Sequence, residues 1–461
     1  MPQEPTRHHT PTDVRDWRGR RYTVGPTARE LTGLPRSVLL IRALVAVAAV
    51  GVLQFGYGAA VPALVGAHGW SPAQALAPFL VWALVQGSLA PAPRWLRARG
   101  LLGPGPAICA GALLCGAALF SLGHLASPVA AVLGYGVLGG AGAGLVYHSC
   151  ADLVGGWFPD RHTVRLGVVG GAFALGAVPL LPAAALGLSP DVLPSASTAL
   201  AAVVAALGVA GGAGQRGAPE RWWPPGSDPC ASALRRRADP PAAGDFSMGQ
   251  AWASGRSLPA LHAVVALSGT SALFTLAALP TVLLGLGRSP SEVAAAVTAL
   301  ALASGLGRLA ASAAAERTGR RRTLALLMAA TALGLAALAA AAPAGPVQLL
   351  VLLSLVVGAG TGSCYPLTRA ITEGHFGSQS APGLQSLVHG SKAVGGLLGV
   401  GGAAAVLSLA PVGTHAAFLA AAGVLPAVAS VLAARLRRPL PVRTLPRRTR
   451  VWTAAPRRAP M

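Results

Sequence analysis

The sequence predicts an all-α integral membrane protein, with twelve transmembrane helices in two six-helix halves related by a pseudo-two-fold. Three observations carry this. The apolar residues come in long uncharged blocks. The basic residues cluster in alternate loops. The two halves of the chain match each other at one constant offset.

Of the 461 residues, 53% are hydrophobic and 11% charged, where a soluble chain carries about 25% charged residues. The mean hydropathy is +0.58. Several apolar blocks reach the roughly 20 residues that a helix needs to cross a bilayer. Strand-like alternation is absent, so helices rather than a barrel are expected, and the lipid bilayer is the first partner.

The net charge is +22. On a soluble chain that would suggest nucleic acid, but the positions argue against such a partner. Nine arginines lie between Arg435 and Arg458, after the last apolar block. Others fall in "RWLRARG", "DRHTVR", "ALRRRAD" and "ERTGRRRT", each between apolar blocks. Basic clusters in every second loop are the positive-inside pattern. Cys109, Cys115, Cys150 and Cys364 sit in apolar blocks and Cys230 in a basic loop, with no metal-ligand spacing, so neither a disulfide framework nor a metal is expected. The stretch 1–36 is polar and longer than the n-region of a signal peptide, and the apolar block after it can span, so no cleaved signal peptide is expected.

Twelve segments can be placed, at 37–66, 73–94, 103–122, 127–154, 164–187 and 192–212, then 258–286, 290–314, 321–342, 347–369, 382–408 and 413–435. The expected organisation is a cytoplasmic tail (1–36), an N-terminal half (37–212), a cytoplasmic linker (213–257), a C-terminal half (258–436) and a basic cytoplasmic tail (437–461). Arg288 is the only Lys or Arg in the short connections on the opposite side, so both termini are expected in the cytoplasm, with the chain multi-pass in a cell's inner (cytoplasmic) membrane. The linker is Pro-, Arg- and Gly-rich and has no helical period.

At an offset of 218, "SPAQ" (Ser71 to Gln74) falls on "SPSE" (Ser289 to Glu292). Each reads as a capping box, with Ser at the N-cap, Pro at N1 and Gln or Glu at N3. Gly140, Gly142, Gly144, Tyr147, Gly156 and Phe158 likewise fall on Gly358, Gly360, Gly362, Tyr365, Gly374 and Phe376. Six helices repeated in the same orientation describe the two halves of a major facilitator transporter. Gly136, Gly140 and Gly144, with Gly358 and Gly362 in the other half, recur every four residues, the spacing that lets helices pack closely.

"GGWFPDRHTVRLGVVGGAFALGA" (Gly155 to Ala177) joins segments four and five. Together with "HFGSQSAPGLQSLVHGSKAVGGLLG" (His375 to Gly399), it resembles the oxalate/formate antiporter family within the major facilitator superfamily. "FGYGAAVPALVGAHGWS" resembles that family's first helix, and "ERWWPP" its central loop. The resemblance spans segments one to twelve. One departure concerns the Gly-x-x-x-Asp-Arg-x-Gly-Arg loop that major facilitators carry after segments two and eight. Here the first is eroded to "PRWLRARGLLG", without the acid, and the second is "SAAAERTGRRR", with Glu316 for the aspartate. Asp160 and Arg161 in the first motif, and Glu316 and Arg317 in the second loop, are gating candidates.

Two cations stand inside the membrane. Lys392 lies ten residues into segment eleven, about 15 Å from its start. Its stem cannot reach the interface from there, and facing lipid would cost at least ~2.5–3.5 kcal/mol. Arg308 lies eight residues before Glu316, at about 12 Å depth. No Asp or Glu stands near either in its own helix. In the family that this sequence resembles, an arginine in helix eight and a lysine in helix eleven bind substrate carboxylates, and these two residues fall on those positions. The alternative is a structural pair satisfied by backbone carbonyls or by an acid on another helix.

Around them, the resemblance makes Tyr365 a pocket aromatic. It also puts Thr361 and His389 where aromatic residues are expected, implying a wider, more polar pocket. His389 is one turn from Lys392 and either shares its face or packs. Gln54 and Tyr57 either line the cavity or pack. His148 and Asp152, four apart, are a gate, a proton relay or a local pair. No P-loop, zinc spacing or nucleophile elbow occurs, so no cofactor, catalytic residue or enzymatic activity is expected. The expected function is secondary transport of small organic anions, such as oxalate- or formate-like mono- or dicarboxylates, by antiport or proton symport, in a monomer. The alternatives are an exporter of larger amphipathic compounds and a non-transporting sensor on the same scaffold.

Overall fold

The structure is a computed structural model and describes residues 12–15, 21–234, 239, 242, 244–377 and 381–439. Nearly all of the expected basic tail at 437–461, and parts of the N-terminal tail and linker, lie outside the described residues.

The N-terminal half holds α1 (Arg36–Phe55), α2 (Pro72–Ser88), α3 (Pro104–His124), α4 (Pro128–Trp157), α5 (His162–Leu175) and α6 (Leu193–Gly212). The C-terminal half holds α7 (Ser257–Gly285), α8 (Pro290–Thr318), α9 (Arg320–Ala341), α10 (Val347–Phe376), α11 (Pro382–Leu409) and α12 (Val412–Ala434). Among the described residues ten helices are long and apolar enough to cross a membrane, and α2 with its bent continuation Ala92–Ala98 makes eleven. The fifth expected segment makes twelve, but it is broken into α5 and the short helix Leu181–Gly187.

The breaks have local causes. Gly56 interrupts the first segment before it resumes as Tyr57–His68. Pro91 and Pro93 accompany the 42° bend after α2. Pro179 and Pro182 remove backbone donors across the turn at 176–180 that splits the fifth segment. The Gly390-Ser391 pair breaks α11 one residue before Lys392. Within α4, residues Val132–Gly139 are π-helical.

The repeat read from sequence recurs in space. Both capping boxes form: Gln74 and Glu292 each accept from the N-cap nitrogen at 2.9 Å, from Ser71 and Ser289 respectively. A methyl group on Gly140 would lie 2.8 Å from the Trp82 carbonyl oxygen, and one on Gly358 2.2 Å from that of Leu300. Glycine and partner both shift by 218 residues, so α4 packs on α2 as α10 packs on α8.

The halves meet along α2 and α11, along α5 and α8, and where Tyr57–His68 approaches α7. Gly87 shows how close the first contact is, since a methyl there would stand 2.7 Å from the Ala393 amide nitrogen. Only a residue without a side chain fits.

The described parts of the linker and of the N-terminal tail carry more structure than their composition predicts. Strands β1 (Thr12–Arg15), β2 (Arg21–Val24) and β3 (Trp222–Trp223) form one sheet, antiparallel between β1 and β2 and parallel between β2 and β3. Trp222 is buried edge-on against Trp157 at the end of α4, and Phe246 donates its backbone N–H to the Phe376 carbonyl at 2.9 Å. Each end of the linker is thus fastened to one half by buried aromatics, a pairing no local pattern announces. This end of the bundle is called the linker side below.

Candidate functional site

Lys392 begins the second part of α11 and is 3% exposed. Its Nζ donates to Gln54 Oε1 on α1 at 2.6 Å and to Gln86 Oε1 on α2 at 2.7 Å. Both glutamines are buried. The ammonium also lies 5.2 Å from the Trp82 ring centroid and 6.0 Å from that of Phe173. An ammonium has only donors, so both amide oxygens must face it. The break at Ser391 is held by His262 Nδ1, 2.7 Å from the Ser391 hydroxyl.

Arg308 on α8 is also 3% exposed. Its Nη1 donates to the backbone carbonyl of Gly170 on α5, its guanidinium sits 5.8 Å from the Tyr365 ring centroid, and its buried Nε has no partner. Among the described residues neither cation has a carboxylate within 4.0 Å. Each reaches from the C-terminal half to neutral groups of the N-terminal half.

Two small cavities adjoin these residues. The central one, about 20 Å³, is bordered by Gln54, Ser304, Arg308, Thr361 and Tyr365 among others. The second, about 40 Å³, lies toward the linker side and is bordered by Tyr147, His148, Asp152, Tyr365, Arg369 and His389 among others. With about 10–15 Å³ needed per water, each holds a few waters at most. The halves are therefore packed closely around these residues, with no room for a larger solute. Lys392 borders neither cavity directly and is reached through Gln54.

Between the cavities stands a cluster of rings. His389 lies 4.8 Å edge-on from His148, 5.3 Å from Tyr365 and 6.0 Å from Tyr147. Tyr147 and Tyr365 are repeat mates. His389 thus turns to this cluster, not to Lys392. Thr361 borders the central cavity while its hydroxyl donates to the Val357 carbonyl at 2.9 Å.

Other candidates are placed differently from expectation. Tyr57 borders neither cavity. Its hydroxyl donates to the Ala75 carbonyl at 2.6 Å and its ring stacks on Phe79 at 4.8 Å, so it packs. Asp152 does not pair with His148. Its carboxylate takes Arg97 at 3.2 Å and, across the halves, Arg369 at 3.9 Å. Asp160 pairs with Arg36 at 2.9 Å, within its own half. Arg161, Glu316 and Arg317 are exposed. The buried basic residue of the second loop is Arg320, whose N–H donates to Asp239 Oδ2 at 2.9 Å. A further bridge joins the halves, His162 Nδ1 to Glu373 Oε2 at 3.4 Å.

Sequence reasoning missed Gln86 and Arg369. A lone amide inside an apolar block, and an arginine on the face of α10 one turn beyond Tyr365, were the available signals.

The sequence model of the Major Facilitator Superfamily matches residues 260–460, the C-terminal half. Several solved structures of a mutant of the peptide transporter POT are similar to the whole bundle. The complex with alafosfalin has a TM-score of 0.62 at 14% identity, covering 86% of this chain and 93% of that one. The complex with sulfate has a TM-score of 0.60 at 16% identity, with the same coverage. At such identities the likeness carries the fold, and the chain has the major facilitator fold. No curated protein matches the sequence.

Proposed function

We propose that this chain is a secondary transporter that carries small organic anions, mono- or dicarboxylates, by alternating access of its two halves. Arg308 and Lys392 are the anion-binding groups, with Tyr365, Thr361 and Gln54 at the border of the site. One observation supports this most directly: two buried cations at the junction of the halves face only neutral acceptors. Buried charges without counter-charges are costly, and such residues in membrane helices mark substrate paths. The motif resemblance to oxalate/formate antiporters points to the same substrate class. The basic loops favour a cytoplasmic linker side.

Two cations can be neutralised by one dicarboxylate. A monocarboxylate neutralises one and leaves the other for a second anion or a proton-linked step. A neutral sugar or a cationic drug leaves both without partners and is rejected. A dipeptide zwitterion brings an ammonium group toward two cations with no acid to receive it, which makes dipeptides the discriminating competitors.

The test is counterflow of labelled oxalate in proteoliposomes, with unlabelled oxalate, formate, pyruvate, malonate, their amides, simple amines and a dipeptide as competitors. The acids are expected to compete and the others not. Competition by amides or amines as strong as by the acids overturns the reading. Absence of counterflow with every solute favours a sensor.

A further inference from the structure

The second cavity contains something the anion site does not use. His148 comes from α4 in one half and His389 from α11 in the other, with ring centroids 4.8 Å apart at an interplanar angle of 89°. His389 is 7% exposed. The Nε2 atoms of both rings are buried without a hydrogen-bond partner, and both residues border the cavity on the linker side of Tyr365. A partnerless buried ring nitrogen is costly to leave so. Two of them, from opposite halves and facing one cavity, form a basic site whose smallest ligand is a proton.

We infer that His148 and His389 together bind one coupling proton at Nε2, and that it travels with the organic anion. The choice of anion rests on the carboxylate reading above. The bond formed is N–H at one Nε2, with the proton taken from water on one side of the membrane and returned to water on the other. A second proton would place two imidazolium rings 4.8 Å apart, so the stoichiometry is one.

The surrounding charges set the order of events. The pair shares its cavity with Tyr147 and Asp152 on α4, Tyr365 and Arg369 on α10 and Gln385 on α11, while Arg308 on α8 and Lys392 on α11 stand outside that cavity but near enough for their charges to act on His389. Asp152, the one carboxylate, is already engaged by Arg97 and Arg369. An added proton therefore meets net positive charge while the anion site is empty. A carboxylate held by Arg308 and Lys392 removes that opposition. By linkage, the anion favours the proton and the proton favours the anion to the same degree. Because the two rings belong to different halves, parting the halves on the linker side separates them and releases the proton. Of antiport and proton symport, this geometry selects symport.

The experiment compares two uptakes of labelled oxalate into proteoliposomes: counterflow at equal pH, and net accumulation driven by an inside-alkaline gradient. With one proton per anion, a one-unit gradient supports about tenfold accumulation. In wild type the gradient is expected to drive accumulation. In His148→Gln and in His389→Gln the ratio of gradient-driven uptake to counterflow should fall to that seen without a gradient. A purely structural role would lower both uptakes together and leave the ratio unchanged, which overturns the proposal. A second readout is proton uptake when oxalate is added to purified protein in weakly buffered solution. About one proton per chain is expected from wild type and none from the double variant, and equal uptake by both overturns the proposal. Oxalate counterflow without any gradient effect in wild type overturns the proton site alone. Absence of binding and counterflow with every carboxylate overturns the anion reading, and the proton site with it.

Discussion

Lys392 Nζ donates to Gln86 Oε1 at 2.7 Å across the junction of the two halves. The bond joins α11 to α2 where Gly87 lets their backbones approach. The cation of one half is thus solvated by an amide of the other, and that amide is neutral. A neutral acceptor steadies the ammonium without cancelling its charge.

Gln86→Leu should therefore destabilise the protein by about 1.5–3 kcal/mol, the worth of a hydrogen bond to a charged group. Thermal unfolding in detergent checks it. Adding Lys392→Met should restore most of the loss, because no buried charge is then left wanting. Gln86→Glu should raise stability and abolish carboxylate uptake, since an internal carboxylate competes with the substrate. Undiminished uptake by Gln86→Glu would exclude Lys392 from the site.

Arg308→Gln and Lys392→Gln should each abolish oxalate binding while leaving expression and folding nearly intact. Removing a buried cation that lacks a counter-charge relieves a desolvation cost, so stability can rise. Lys392→Gln should weaken dianions more than monoanions. Binding by thermal shift, set against uptake per folded molecule, checks both. Aggregation with unchanged uptake per folded molecule would make the residue structural.

Asp152 is the shared acceptor of Arg97 and Arg369, and the second of these pairs crosses the halves on the linker side. Asp152→Asn should shift the population toward states open on that side. The partners are part-exposed, so each pair is worth about 0.2–1 kcal/mol and the shift is roughly 1.4- to fivefold. A cysteine at Ser386, which borders the linker-side cavity, reports it through its labelling rate in a background lacking the five native cysteines. An unchanged or slower rate would remove Asp152 from the gate.

Single cysteines at Ser227 in the linker and Gly345 between α9 and α10 should label from opposite sides of the membrane. On the proposed topology, which rests on the loop charges, the linker is cytoplasmic. An impermeant reagent applied from outside should reach Gly345→Cys and not Ser227→Cys. Equal labelling would rule out the twelve-segment topology.

The sequence by itself determined the membrane class, the two six-segment halves, the capping boxes and which helices carry Arg308 and Lys392. Each is written in one dimension, as hydropathy, charge placement or a constant offset. The breaks near Pro179 and Pro182 and at the Gly390-Ser391 pair fall inside segments that hydropathy gives as unbroken, and only the structure showed them. The same holds for the partners. Lys392 meets Gln54 and Gln86 at separations of 338 and 306 residues, and Arg308 meets Gly170 at 138. His148 met His389 and not its neighbour Asp152, which went to two arginines. Only tertiary packing, most of it of one half on the other, decided these contacts. That packing depends on which glycines face which backbone, and side chains at such a junction follow no period along the chain.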